Sequence, residues 1–161
     1  MRQSHSIRET LRSGRRGQSM VEFALTFLLF ISMVLGFGQI ALVLWIKTTL
    51  HHAVREGARY AITGATKSGL GHDASIRQRV MVASGGLVKP AQADSLIQIQ
   101  YYDQSGTATA ENAGGNTLVL SVREFPIPWL VAAPLSPLGD GISVSVNAVD
   151  RLENFRTPPP R

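Results

Sequence analysis

The sequence contains no cysteine, and this absence excludes several kinds of chemistry. Without thiols the chain can form no disulfide, use no cysteine nucleophile and bind no metal through thiolates. Charged residues are also sparse, at 17% of the 161 residues. Together with fifteen glycines and eight prolines, this composition is compatible with folding and argues against wholesale disorder. The length allows one ordinary domain, or a small domain with an appendage.

The excess of positive charge is confined to the N-terminal end. A net charge of +5 would suggest a nucleic-acid partner if it were spread over the surface. Residues 1–17, however, contain five arginines and one glutamate, whereas the other 144 residues carry a net charge of only +1. The basic character therefore belongs to a short leader, and we predict no nucleic-acid-binding surface.

The longest apolar run extends from Phe23 to Ile46, over 24 residues without a charge. A helix of that length spans about 36 Å, enough to cross a hydrocarbon core of about 30 Å with some tilt. A secretory signal peptide has a shorter apolar region followed by a small-x-small cleavage site, and neither feature is present. A buried helix that is apolar on all faces would need a larger protein around it. We therefore predict a membrane-spanning helix in a lipid bilayer.

The charges that flank this run predict its orientation. Five arginines precede it, whereas Lys47 is the basic residue immediately after it. Because positively charged flanks stay in the cytoplasm, residues 47–161 should lie outside the cytoplasm. Trp45 stands at the outward end of the run, where its amphipathic ring suits the membrane interface. The prediction is a single-pass membrane protein with a cytoplasmic N-terminus.

Helical periodicity continues beyond the apolar run. Over residues 47–62 the apolar positions recur at helical spacing, which predicts one long helix over about 20–62, ended by Gly64.

A second helix is predicted over residues 75–84. Ser75 and Gln78 form the S-x-x-Q pattern of a capping box, and Gly85 follows as a stop signal. Beyond residue 90 the period of the apolar residues changes to two. This change predicts three strands, over residues 95–102, 117–125 and 142–147.

These elements predict an α+β fold, in which a small antiparallel sheet packs on the outward half of the long helix. The loop over residues 126–138, which contains prolines and a tryptophan, is expected to cover the core rather than to form a binding edge. Residues 157–161 (Thr-Pro-Pro-Pro-Arg) should form an extended tail. Residues 63–161 would then form an extracytoplasmic domain.

One acidic residue, Glu22, lies just inside the apolar run, where it is either a tolerated interfacial carboxylate or a paired, functional one. Two arginines and Gly17 precede Gln18, and Glu22-Phe23 stands at the head of the apolar run. This pattern resembles the processing site of type IV prepilins. The resemblance implies that a prepilin peptidase cuts after Gly17, that residues 1–17 are a cleaved leader, and that Gln18 becomes the new N-terminus. It also implies that Glu22 neutralises the new amino group on a neighbouring subunit, since an unpaired charge among apolar helices is costly.

A second stretch of the sequence, residues 53–61, indicates which family of pilin-like proteins the chain resembles. Residues 53–61 read A-V-R-E-G-A-R-Y-A and are similar to the A-A-R-E-G-A-R-Y-A stretch that follows the spanning helix in TadE-like proteins. Glu22-Phe23 resembles the Glu-Tyr pair of Flp-type pilins, whereas Gln18 stands where type IVa pilins commonly begin with Phe. The chain therefore resembles a TadE-like pseudopilin of the tight-adherence (Tad, or Flp) pilus system, with a TadF-like role as the alternative within that system.

The resemblance implies a minor pilin of the inner membrane that takes part in assembling a pilus for surface adherence. The implied partners are the prepilin peptidase, other pilin-like subunits and the Tad inner-membrane assembly platform. No cofactor and no small-molecule substrate follow from it. A rival interpretation is an uncleaved single-pass protein whose extracytoplasmic domain binds a ligand or a partner.

The residues Arg55, Glu56, Gly57 and Arg59 have two interpretations. They are either charges on a solvated helix surface, with Glu56 able to pair with Arg59, or a subunit contact just outside the bilayer. A glycine inside a helix costs about 1 kcal/mol relative to alanine, so Gly57 indicates close packing against some neighbour.

Patterns typical of catalytic and metal sites are incomplete. Residues 64–69 have the glycine spacing of a P-loop, but Leu70-Gly71 follows where Lys-Ser/Thr is needed. His52 and Glu56 share a helix face, but the second histidine of an H-E-x-x-H site is missing. A membrane-anchored enzyme would need convergent polar residues within 90–150, and no obvious set is present. We expect neither an enzyme nor a metal centre.

Overall fold

The computed structural model of the chain describes residues 4–130, 141–154 and 158–161, with side chains from residue 17 onward. Within these residues three helices and four strands follow one another, which confirms the predicted α+β class. They are α1 (Ser4–Ile62), α2 (His72–Ala83), α3 (Pro90–Leu96), β1 (Ile97–Tyr102), β2 (Ala108–Thr109), β3 (Thr117–Ile127) and β4 (Ile142–Arg151). Contacts divide the chain into two units, Met1–Ala41 and Leu42–Arg161.

In the first unit, α1 exposes most of its apolar side chains from residue 20 onward. Phe23 and Leu29 are each 70% exposed, and of the other large apolar side chains up to Phe37 all are exposed except Ile31, which is half-buried. A candidate membrane span lies within Gly17–Ile62, and only 6% of its most apolar window is buried. Because the core helix of a soluble protein would be mostly buried, this long, exposed apolar helix indicates a membrane-anchored protein.

The second unit contains one antiparallel sheet with the strand order β2-β1-β3-β4. In the register of the central strands, Val122 of β3 faces Ile97 of β1 and Val146 of β4. A β-bulge interrupts the β3–β4 pairing between Val122 and Phe125, where Glu124 has a φ of 51°. The extra residue lets both Val122 and Phe125 turn inward, so that the longer β3 keeps its apolar side chains in the core.

The core of this unit lies between the sheet, α2 and the outward part of α1. The helix contributes a stripe at helical spacing: Ile46, Leu50, Ala53, Val54, Ala58 and Ala61. The strands contribute alternating residues: Ile97, Tyr101, Leu118, Leu120, Val122, Val144 and Val146. Gly57 belongs to the same helix face, and a Cβ there would meet Val80 of α2 and Leu120 of β3. The predicted packing of a small sheet on the C-terminal part of the long helix is confirmed.

The start of α2 differs from the predicted capping box, which was wrong. The helix begins at His72, three residues earlier than expected, and its N-cap, Gly71, makes no side-chain capping bond. Ser75 lies inside the first turn instead, where its hydroxyl donates to the Gly71 carbonyl (2.8 Å) and accepts from the Lys67 N–H (3.0 Å). The helix ends as predicted, since Ser84 is the C-cap and Gly85 follows with a φ of 62°.

Two short elements were not predicted. Helix α3 has Pro90 in its first turn, a recognised helix-start signal, but it is only seven residues long. Strand β2 is two residues long and pairs with the end of β1. The predicted loop over 126–138 begins later than expected, because β3 continues through Pro126 to Ile127. Residues 131–140 of that loop lie outside the described residues.

Candidate functional site

The first part of the candidate site is the head of the apolar helix. Gly17, Gln18 and Glu22 all lie in α1 and are exposed. Gln18 and Glu22 are one helical turn apart, and the Gln18 Nε2 donates a hydrogen bond of 3.1 Å to the Glu22 Oε1. A side chain added at Gly17 would meet nothing within 4 Å. The glycine, the residue after it and the acidic residue are therefore all accessible to another protein.

Phe23 continues this part of the helix into the apolar surface. Its ring stacks on that of Phe27 one turn later, with centroids 6.0 Å apart and an angle of 19° between the planes. Both rings are mostly exposed, at 70% for Phe23 and 53% for Phe27. They are suited to contact lipid or a neighbouring apolar helix.

The second part of the candidate site is the stretch from Arg55 to Arg59. Gly57 is buried against Val80 and Leu120 of its own chain. Close packing within the chain therefore explains why a glycine stands at this position. Glu56 forms its ion pair with Arg79 of α2, not with Arg59. The hydrogen bond from Arg79 holds the pKa of Glu56 below its usual value of 4.5.

Two residues of this stretch remain on the surface. Arg55 and Arg59 are exposed and line a groove with His51 on α1 and with Ala148 and Asp150 on β4. The subunit contact predicted here stays a prediction, and it now concerns these two arginines rather than Gly57.

A third cluster, which the sequence did not indicate, surrounds the start of α2. The His72 side chain is fully buried; its Nε2 donates to the Ala61 carbonyl (3.2 Å) and its Nδ1 accepts from the Asn112 Nδ2 (3.1 Å). The Tyr101 hydroxyl donates to the Asp73 Oδ1 at 2.7 Å. Burial lowers the pKa of His72 below 6.5, and it raises the pKa of Tyr101 together with the hydrogen bond to Asp73. We call His72, Asp73, Tyr101 and Asn112 the cradle.

Residues 158–161 lie in this cradle. The Pro160 carbonyl accepts from the backbone N–H of His72 (2.7 Å), and the Pro159 carbonyl accepts from the Asn112 Nδ2 (3.0 Å). Arg161 donates from Nε and Nη2 to the Asp73 Oδ2, at 3.0 and 2.5 Å, and its Nη1 donates to the Ala110 carbonyl. Its guanidinium lies 5.3 Å from the centre of the Tyr101 ring. The predicted extended tail is thus docked on the domain.

No signal in the local sequence could have revealed this cluster. Its members come from three separate parts of the chain, at residues 72–73, 101 and 112, and each is an ordinary polar residue at its own position. Among the residues that the structure describes, no group of three or more histidines and carboxylates is arranged to hold a metal ion.

Comparison with known proteins places a family match on the first two parts of the site. Residues 17–59 match the family of TadE-like proteins. The matched segment begins at the predicted cleavage glycine and ends at Arg59, so it includes every site residue predicted from the sequence. No curated protein and no solved structure matches the chain. The family match supports a TadE-like protein of the Tad pilus system.

Proposed function

We propose that this TadE-like protein is a minor pilin that takes part in assembling a Tad pilus for surface adherence. A prepilin peptidase would remove residues 1–17, and the mature chain would be residues 18–161. The observation that carries the proposal is the family match over 17–59, which covers the processing pattern from Gly17 onward and residues 53–59 of the stretch after the apolar helix. In this role the protein has no turnover of its own and needs no cofactor.

The proposed placement is the inner membrane, with the N-terminus in the cytoplasm and residues 47–161 outside it. The exposed apolar helix and the arginine-rich leader support this orientation. Beyond the peptidase, the partners in this proposal are other pilin-like subunits and the Tad inner-membrane assembly platform.

The geometry at the head of the helix suits both processing and assembly. The accessibility of Gly17 to a peptidase is supported by its exposure and by the open space that a Cβ would meet there among the described residues. Cleavage would leave an ammonium group on Gln18, one turn from Glu22. Since the Gln18 amide already bonds the Glu22 Oε1, the other carboxylate oxygen can accept from the ammonium of a neighbouring subunit. Burying either charge unpaired among apolar helices would cost several kcal/mol, so the pair would favour one register of assembly.

The direct test is the intact mass of the membrane form, measured in cells with and without the prepilin peptidase. We expect the mass to fall by residues 1–17 only when the peptidase is present. Gly17→Leu should block this change because a bulky side chain should not fit a pocket that accepts glycine. Gly14→Leu, a substitution at the other glycine of the leader, is the matched control and should still be processed.

Two outcomes would contradict the proposal. If Gly17→Leu is shortened like the wild type, the cleavage site is wrong. If the wild-type protein keeps residues 1–17 in the presence of an active peptidase, the chain is instead an uncleaved single-pass protein with an extracytoplasmic binding domain.

A further inference from the structure

The contacts of residues 158–161 have the character of ligand recognition rather than of a loosely placed tail. Two backbone carbonyls, those of Pro159 and Pro160, each accept from a donor of the cradle. The arginine that follows makes a two-point contact with Asp73 and stands over an aromatic ring. Proline-rich segments are suited to such binding because they are already extended and lose little conformational entropy. A carboxylate contacted from two guanidinium nitrogens is specific for arginine.

We propose that the cradle is a recognition site for a Pro-Pro-Arg peptide segment, that residues 158–161 occupy it in this chain, and that a neutral His72 is a condition of occupancy. The ligand class is an extended peptide with two adjacent prolines followed by arginine. This proposal does not depend on the proposed role in pilus assembly.

The shape of the site at Gly71 supports the proposal. A Cβ at this position would lie 2.6 Å from the Arg161 carbonyl oxygen and still closer to the carbonyl carbon. The Gly71 backbone itself is ordinary, with a φ of −70° that any residue adopts. The glycine is therefore required by the close approach of the segment and not by the backbone conformation. Replacing it with alanine should obstruct the site without straining α2.

The N-terminus of α2 also supports the proposed recognition site. The first N–H groups of a helix lack partners within the helix, and α2 has no side-chain cap to supply one. The Pro160 carbonyl accepts from the first of these groups, that of His72. The segment thus provides the cap that the local sequence of α2 does not.

The hydrogen bonds around His72 require its neutral form. The Nε2 donates to the Ala61 carbonyl, so in the neutral ring the Nδ1 has no proton and accepts from the Asn112 Nδ2. The second proton of that amide goes to the Pro159 carbonyl. If the ring gains a proton at Nδ1, two donors face each other. Turning the Asn112 amide to relieve this would place its oxygen against the Pro159 carbonyl. Either response breaks a contact that holds the segment.

The charged and titratable groups around His72 are Asp73 on the same helix, Tyr101 on β1 and Arg161 of the segment, while α1 presents only the Ala61 carbonyl. Burial keeps the pKa of His72 below 6.5. The docked state therefore takes up a proton less readily than a released state with an ordinary histidine. Docking is fully favourable above pH 6.5 and is lost as the pH falls below that value.

The test uses the full chain in detergent, with and without residues 158–161, and a labelled peptide of sequence Thr-Pro-Pro-Pro-Arg. We expect the shortened chain to bind the peptide saturably in fluorescence anisotropy, while the full chain binds little because its site is filled. Asp73→Asn in the shortened chain should weaken binding at least about tenfold, consistent with the loss of a charge-assisted contact. Asp94→Asn, which removes an equally negative but exposed carboxylate of α3, should leave binding unchanged.

Gly71→Ala in the shortened chain should abolish peptide binding while the circular dichroism spectrum stays unchanged. A peptide ending in lysine should bind at least about tenfold more weakly than the arginine peptide, because its single ammonium group cannot reproduce the donation from two guanidinium nitrogens to the Asp73 Oδ2. Absence of binding by a shortened chain that is still folded would overturn the proposal. Equal binding of the lysine peptide would show a general cation site instead.

The pH condition is tested on the same shortened chain. Between pH 7.5 and 5.5 the affinity for the peptide should fall by up to about tenfold, the limit for one histidine with an ordinary pKa in the released state. His72→Asn should remove this dependence, because its side-chain oxygen can accept from Asn112 at either pH. If His72→Asn disturbs folding, Asn112→Ala serves instead and should weaken binding at pH 7.5 with little further loss at pH 5.5. An undiminished pH dependence in a folded variant would refute the role of His72.

Discussion

In the unit Leu42–Arg161, α1 packs closely against α2 and β3 at Gly57, and Gly57→Ala tests whether that contact determines the stability of the unit. The added methyl group would lie 2.9 Å from the Leu120 Cδ2 and closer still to the Val80 Cγ2, so both side chains must move. Overpacking a well-packed core costs about 1–3 kcal/mol, whereas alanine gains about 1 kcal/mol over glycine in a helix interior. We expect a net loss of about 1 kcal/mol, although helix propensity alone predicts a gain.

The free energy is best measured by hydrogen–deuterium exchange of amides in β3, whose protection reports the opening of the core. Protection of these amides should fall about fivefold for a loss of 1 kcal/mol. Gly36→Ala is the matched control: it adds the same methyl group to the same helix, but nothing lies within 4 Å of it. This control should leave the protection of β3 unchanged.

Combining Gly57→Ala with Val80→Ala tests whether the collision with Val80 causes the loss of stability. Val80→Ala alone opens a cavity and should destabilise the unit, but combined with Gly57→Ala it also removes the Val80 Cγ2, the nearer of the two atoms with which the new methyl group collides. The two substitutions should therefore be less harmful together than their summed effects, by about 1 kcal/mol. Strict additivity, or stabilisation by Gly57→Ala alone, would refute the idea that the glycine is required by packing.

Two further predictions concern assembly and orientation. Glu22→Ala should leave insertion and processing intact, because it removes a charge from the apolar segment downstream of the proposed cleavage site, yet piliation scored by microscopy should drop severely. Glu111→Ala, which removes an exposed carboxylate of the unit Leu42–Arg161, is the control, and normal piliation in Glu22→Ala would show that Glu22 has no role in assembly. The chain has no cysteine, so Ser105→Cys in the exposed turn after β1 places one thiol in the unit Leu42–Arg161. A membrane-impermeant maleimide should label it in intact spheroplasts, and labelling only after lysis would reverse the topology.

The elements that the sequence predicted well are those whose signal is periodic and continuous. The uncharged run from Phe23 to Ile46 and the alternation in β3 and β4 reflect burial in lipid or in a core, and each repeats over many residues. Strand β2, with two residues, is too short to show a period, and it exists because β1 offers it a partner. The bulge at Glu124 likewise depends on the register of β4, which no local pattern specifies.

The candidate site also contains some residues that a continuous sequence signal indicates and others that only the tertiary fold brings together. Gly17, Glu22 and the stretch from Arg55 to Arg59 lie in contiguous motifs, and a family resemblance could indicate them. The partner of Glu56 could not be found in this way, because Arg79 comes from another helix 23 residues later. The contact between the cradle and residues 158–161 is the extreme case, since Asp73 and Arg161 are 88 residues apart. Contacts of that range are set by the tertiary fold. The predicted capping box at Ser75 was wrong because α2 begins earlier, at His72, whose N–H donates to the distant Pro160 carbonyl.

The stripe from Ile46 to Ala61 has a consequence for the order in which the protein folds. These residues form one wall of the core, but β4, which covers part of it, does not begin until Ile142. The core contacts between this stripe and the strands thus join distant parts of the chain, and contacts of long sequence separation slow folding. If the unit Leu42–Arg161 crosses the membrane after its anchor helix has inserted, the stripe and the unpaired edge of β3 stay exposed until β4 has also crossed. Newly exported chains should therefore be most vulnerable to proteases and to mispairing with one another during this interval.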